Sequence, residues 1–339
     1  MPRPARVLSA LAVAALLLPL AACGGGDAAA GSSGAASGGD GRLKVVASTD
    51  VYGDLAATVG GDAVEVTSVI SGPDKDPHSY ESTVRDSLAV SRADLVILNG
   101  GGYDTFMEGL VEKNQVDAAH VVDAVATSGL EPEDEHDAGS SGDASADDHG
   151  EAGHDHDHGA FNEHVWYSLP AAQKVVTAIK DRLAAARPAD AATFDANATA
   201  LTGRISGLTQ RLAALKGEAA GGGTTRDVAI TEPVPLYLLE AAGLHNVTPA
   251  SFSEAIEEGG DVSPTDLFTL RTLMQQKKVA LLAYNTQSES EQTRTVATAA
   301  RTAGVPVVDF TETLPDGKHY ADWMADNISG VESALRTAR

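Results

Sequence analysis

The longest helical pattern in the chain runs over residues 189–216, where Phe194, Leu201, Ile205, Leu208 and Leu212 recur at helical spacing. At 1.5 Å per residue such a helix is about 40 Å long, more than one compact domain needs. It reads as a rigid strut between two lobes. Before it, apolar runs at 43–48, 63–70 and 94–98 and a short one at 120–122 alternate with helical patterns over 50–59, 82–91 and 103–112. A helix over 171–186 carries Val175, Val176, Ile179 and Leu183 on one face until Pro188 breaks it. After the strut, strands are expected at 227–231, near 246–248, at 279–284 and at 305–310, with helices over 234–242, 263–276, 289–303 and 320–335. Alternation at this spacing predicts parallel sheets covered on both faces. The expected fold class is therefore α/β: two lobes, each a mostly parallel sheet flanked by helices, joined by one long rigid helix. Two such lobes leave a crevice beyond the carboxyl ends of their strands, where ligands bind. No internal sequence repeat is evident.

The amino-terminal end has a different character. Arg3 and Arg6 precede an apolar run over 7–20, shorter than the roughly 20 residues of a spanning helix, and it ends at Leu20-Ala21-Ala22-Cys23. This is the layout of a secretory signal, and its end resembles the lipobox of bacterial lipoproteins. The resemblance implies cleavage before Cys23 and lipid on its sulfur, anchoring the chain to the membrane; an ordinary signal with an incidental cysteine is the alternative. Cys23 is the single cysteine, so no internal disulfide forms. The expected organisation is a signal peptide (1–22), a lipidated cysteine and flexible tether (23–42), an amino-terminal lobe (43–188), the connecting helix (189–217) and a carboxy-terminal lobe (218–339).

Acidic residues outnumber basic ones by 48 to 24, for a formal charge of -24. Phosphate contacts need clustered Lys and Arg, so nucleic acid is not expected as a partner. Eleven of the acids fall between Glu131 and Gly159, in a segment without Lys or Arg. That segment, within a loop over 131–160 expected to be disordered, also holds His136, His149, His154, His156 and His158 among Ala, Gly and Ser. It suits weak capture of divalent cations in many geometries, or else an acidic solubilising spacer. His164 differs, because it adjoins Val165 and Trp166 at the start of an apolar-periodic run, where an imidazole is held rigidly enough to serve a defined metal site.

Three further residues fall at loops after strands or at helix starts. They are His78 in Asp76-Pro77-His78-Ser79-Tyr80, Glu232 in Thr231-Glu232-Pro233, and Glu312 in Thr311-Glu312-Thr313. Each also has a bland role: a solvated loop histidine, an acid complementing a helix dipole, a solvated loop acid. Asn285, at the end of a buried strand, is expected behind such ligands in the same crevice. His120, His245 and His319 read as surface or packing residues.

Taken together, these residues resemble the metal-binding receptors of bacterial ABC importers for zinc and manganese, the cluster A-I or TroA-like family. A Pro-His in the loop before a helix is matched by Pro77-His78, and a His-x-Trp after a variable loop by His164-Val165-Trp166. A His or Glu five residues before a Tyr and eleven before a Gly-Leu is matched by Glu232, Tyr237, Gly243 and Leu244. A carboxylate after the last strand is matched by Glu312, where the family more usually carries Asp. The resemblance covers about residues 43–335. It implies a monomeric, non-enzymatic solute-binding lipoprotein on the outer face of the cell membrane, which delivers a divalent metal to an ABC permease and its ATPase. The implied ligands are His78, His164, Glu232 and Glu312.

Two imidazoles and two carboxylates balance a divalent charge and suit Zn²⁺ or Mn²⁺ rather than Cu(I). Glutamate at the third position resembles manganese receptors, whereas the histidine-rich loop resembles zinc receptors. The five loop histidines favour Zn²⁺, with Mn²⁺ as the alternative. A surface metal buffer or adhesin is a rival reading. A secreted zinc hydrolase is disfavoured, since no His-Glu-x-x-His occurs and Glu163 beside His164 is not at that spacing.

Overall fold

Strands buried on both faces read as unbroken apolar runs, and β1 (Leu43–Thr49) is one, with Val45, Val46 and Ala47 all buried. The computed structural model describes residues 41–73, 75–131, 161–219 and 225–337. In its first half β1 is followed by α1 (Asp50–Gly60), β2 (Val64–Ile70), α2 (Val84–Val90), β3 (Leu95–Leu98), α3 (Thr105–Lys113), β4 (Val121–Asp123) and α4 (Ala124–Ser128). Two helices then stand between the halves, α5 (Leu169–Ala186) and α6 (Ala191–Ala219). The second half runs β5 (Asp227–Ile230), α7 (Leu236–Ala241), β6 (His245–Asn246), α8 (Ala250–Glu257), α9 (Pro264–Gln275), β7 (Leu282–Asn285), α10 (Glu291–Ala303), β8 (Val307–Phe310) and α11 (Tyr320–Thr337).

The two sheets are all parallel and share one strand order, β2-β1-β3-β4 and β6-β5-β7-β8. In each, the order reverses beside the first strand, which opens a crevice at the carboxyl ends of the strands. The signals that start and stop the helices are local. Thr83 and Ser290 cap α2 and α10 with reciprocal side-chain bonds, and Ser168 and Ser263 cap α5 and α9 ahead of a proline in the first turn.

The strut expected over 189–217 is α6, displaced to Ala191–Ala219 because Pro188 opens a separate 3-10 turn over Pro188–Asp190. Phe194, Ala198, Leu201, Ile205, Leu208 and Leu212 form its buried stripe. They join residues of both sheets in a single hydrophobic core, which holds Val45 and Ile97 at one side and Val228 and Ala283 at the other. Asn197 Nδ2 donates to the Val59 carbonyl of α1 at 3.0 Å, and Arg211 pairs with Glu332 of α11 at 3.0 Å. The described residues from 41 onward thus make one compact unit. Replacing Ile205 by Ala should cost about 2–5 kcal/mol in a single urea transition; two separate transitions would contradict a shared core.

Three local expectations are corrected. The strand near 246–248 shrinks to His245–Asn246, because beyond it the Thr248 hydroxyl accepts from Ile230 N at 2.8 Å in place of a ladder bond. The helix over 234–242 starts only at Leu236, since Pro233 and Pro235 precede it. Helix α8 was not anticipated between β6 and α9. The signal region, Cys23, the tether before residue 41 and the five loop histidines lie outside the described residues. No helix among the described residues is long and apolar enough to cross a membrane.

Candidate metal centre

Each histidine is held by a local turn in the first half of the chain. His78 lies in the loop after β2, where the Asp76 carboxylate accepts from His78 N at 3.0 Å and from Ser79 Oγ at 2.8 Å and so closes a tight local turn. His164 is 1% exposed and precedes the 3-10 turn Val165–Tyr167. Asn162 Oδ1 accepts from His164 N at 3.1 Å and lies 2.8 Å from its Nδ1. A proton on Nδ1 satisfies that contact and leaves the Nε2 lone pair for a metal, the usual way a neighbour sets a ligand's tautomer. Asn162 is itself fixed from the second lobe: its Nδ2 donates to the Pro233 carbonyl at 3.1 Å, and Tyr237 Oη donates to its own carbonyl at 2.7 Å.

The second sheet supplies the acids. Glu232 follows β5 by two residues, Asn285 ends β7, and Glu312 follows β8 by two residues. Asn285 Nδ2 donates to Glu312 Oε1 at 2.8 Å and also to Glu232 Oε2, which brings the two carboxylates together. Tyr103 then links them to the histidines. Its hydroxyl donates to Glu312 Oε2 at 3.2 Å, and its ring meets His78 and His164 edge-on at centroid distances of 5.0 and 5.6 Å. His78, His164, Glu232 and Glu312 all line one cavity of about 580 Å³ between the lobes. The loop bearing Glu312 is also tied to the first lobe, because Asp50 of α1 accepts from Leu314 N at 3.0 Å and from Gly72 N at 2.9 Å.

Two acids that sequence reasoning passed over belong to this place. The ligand atoms of His78, Glu163, His164 and Glu257 all lie within 4.8 Å of one another. Glu163 Oε1 is 3.8 Å from His78 Nε2, and Glu257 Oε1 is 4.0 Å from His164 Nε2. Glu163 is aimed inward because Asn99, at the end of β3, donates through Nδ2 to its carbonyl at 3.0 Å. Glu257 is the last residue of α8, which stops in a glycine cap: Gly259 takes φ +67°, its N–H bonds the Ile256 carbonyl at 3.0 Å, and Gly260 N bonds the Ala255 carbonyl at 2.7 Å. The Glu257-Glu258-Gly259-Gly260 sequence carried that stop signal. Its acids also stand at the wrong end of the helix dipole, a cost of about 0.3–1 kcal/mol each, which hints at a role beyond folding. His120, His245 and His319 stay outside the cavity; His319 Nδ1 pairs with Asp54 at 2.6 Å.

Burial sets the electrostatics. It pushes Glu163 up to about 7, Glu232 to about 8 and Glu257 to about 9, with the neighbouring carboxylates adding to each rise. Glu312 is raised by burial too, against the opposing bond from Asn285. Burial, helped by the charge of His78, holds His164 well below the usual imidazole range. A neutral His164 imidazole beside carboxyls that keep their protons is an arrangement able to exchange protons for a cation.

Comparison with known proteins identifies the family. A family model described as ZnuA, zinc-uptake complex component A periplasmic, matches residues 45–334. The chain belongs to this family. The chain is also similar to the zinc-binding lipoprotein AdcA of Streptococcus pneumoniae, 25% identical over 86% of this chain and 56% of the relative, and to the manganese-binding lipoprotein MntA of Bacillus subtilis, 30% identical over 47% of this chain and 45% of the relative. The matched region thus spans about half the length of each of these relatives. Among solved structures, the periplasmic zinc-binding protein TroA from Treponema pallidum shares the fold with a TM-score of 0.68 at 18% identity, covering 88% of this chain and all of that one.

Proposed function

We propose that this chain is the extracytoplasmic receptor of a metal importer. It captures one divalent transition-metal ion as cargo in the crevice between its lobes and hands it to an ABC permease worked by an ATPase. The observation that carries the reading is the convergence of His78 and His164 from the first lobe with Glu232 and Glu312 from the second on one cavity. Asn285 and Asn162 orient them from behind. Zn²⁺ is the preferred cargo by the Irving–Williams order and Mn²⁺ the alternative. Lipid on Cys23 would hold the receptor, as a monomer, at the outer face of the membrane, with the histidine-rich loop as a first trap for the ion.

The connecting helix and shared core limit closure, so capture and release involve slight lobe tilting or local loop movement rather than a wide hinge. Metal analysis of protein purified without chelators should find about one equivalent of zinc or manganese at the site. Protein that retains neither metal, and takes up neither on titration, would reject the receptor role. A surface buffer without a permease is the rival: deletion of the gene should then leave growth in low metal unchanged, whereas loss of a receptor starves the cell until one metal is added in excess.

A further inference from the structure

The cavity holds more acid than one four-coordinate ion needs. Glu232 and Glu312 already accept bonds from Asn285, and Glu312 from Tyr103 as well. Glu163 Oε1 and Glu257 Oε1 are different: both are buried, and neither receives a hydrogen bond from a donor group. Each instead faces an imidazole beyond hydrogen-bond reach, His78 Nε2 at 3.8 Å from Glu163 Oε1 and His164 Nε2 at 4.0 Å from Glu257 Oε1. Glu163 is 3% exposed, so water does not relieve it. Lys75, on the cavity wall, is turned away onto the Tyr80 ring and the Val69 carbonyl. Buried acids without donors are kept where a cation will sit between them.

We infer that Glu163 and Glu257 are further metal-contacting carboxylates, and that Glu257 sets metal selectivity by carrying the coordination number beyond four. The inference rests on the receptor reading above. Zn²⁺ is content with four donors in a tetrahedron and gains little from more. Mn²⁺ takes a fuller shell of hard oxygens, and without those its affinity at any nitrogen and oxygen site falls far below that of zinc. Glu163 is fixed to the first lobe by its bonded carbonyl, whereas Glu257 is the last residue of α8, one residue before a pair of glycines. Glu257 is therefore the donor that can adjust its reach to the ion.

The test is competition binding of Mn²⁺ and Zn²⁺ to the full chain, with Mn²⁺ read by electron paramagnetic resonance and Zn²⁺ against a chromophoric chelator. Glu257→Ala should weaken Mn²⁺ by about tenfold or more while Zn²⁺ changes by less than about threefold. Glu258→Ala removes the same charge from the exposed neighbouring residue and should change neither metal by more than about threefold. Glu257→Gln, which keeps the shape of the side chain, serves should the alanine variant unfold, and should show the same selective loss. Equal loss of both metals, no loss, or the same response from Glu258→Ala would overturn the assignment. Undiminished Zn²⁺ binding by His164→Ala in a protein lacking residues 132–160 would instead bring down the receptor reading beneath it.

Discussion

His164→Ala, in a protein lacking residues 132–160, should lose metal affinity by about 100-fold or more. Deleting the loop matters because His136, His149, His154, His156 and His158 would otherwise hold metal and hide the defect. The loss follows from how firmly the imidazole is held. It is 1% exposed, its Nδ1 is held at 2.8 Å by Asn162, and its Nε2 faces the acids across the cavity. Asn162→Ala leaves the ring in place but frees its orientation, so a smaller loss of about tenfold is expected. Isothermal titration with Zn²⁺ measures both, and undiminished tight binding by His164→Ala would reject the ligand assignment.

Stability of the metal-free protein should fall as pH rises from about 5 to about 9, and bound metal should abolish most of that fall. The sign follows from the raised carboxyls. Glu163, Glu232 and Glu257 keep their protons in the folded chain up to about 7, 8 and 9, against 4.5 when unfolded. The folded state therefore binds more protons across this window. The stability these groups contribute is complete below pH 4.5 and is lost as pH climbs through their folded values. Asp104, raised to about 6 by burial, acts in the same sense but lies outside the cavity, so its share survives metal binding. His164 opposes them at the acid end, since it is buried neutral and the unfolded chain takes up its proton below about 6.5.

A bound cation pairs with the ionised carboxylates and removes their reason to hold protons. Affinity should then rise with pH over the same window, and binding should release protons. Thermal melts from pH 5 to 9 with and without Zn²⁺ check the first claim, and calorimetry in buffers of different ionisation enthalpy checks the second. A metal-free melting temperature that rises through this range would show that the carboxyls are already ionised and paired.

The legible parts of this chain are those whose physics is local. The apolar stripe of α6 recurs every three or four residues, and the Val-rich run of β1 is bounded by turn signals; each pattern needs only its own segment to be read. The short elements were harder. Helix α8 is eight residues long and broken from its neighbours by prolines and glycines, and its one clear signal is the Gly259-Gly260 stop. Strand β6 has two residues because a threonine hydroxyl finishes its ladder. Neither substitution is visible until the partner strand is placed.

The sequence by itself determined the alternation of strands and helices, the long helix between two lobes, and the donor types that loops after strands present, because turn, cap and periodicity signals act over a few residues. Only the tertiary structure decided which acids gather around His78 and His164. Glu163 and Glu257 lie 94 positions apart, and they meet because the core around α6 sets one sheet against the other. An acid on a loop costs nothing in water, so nothing near it in the chain records whether burial has made it a ligand.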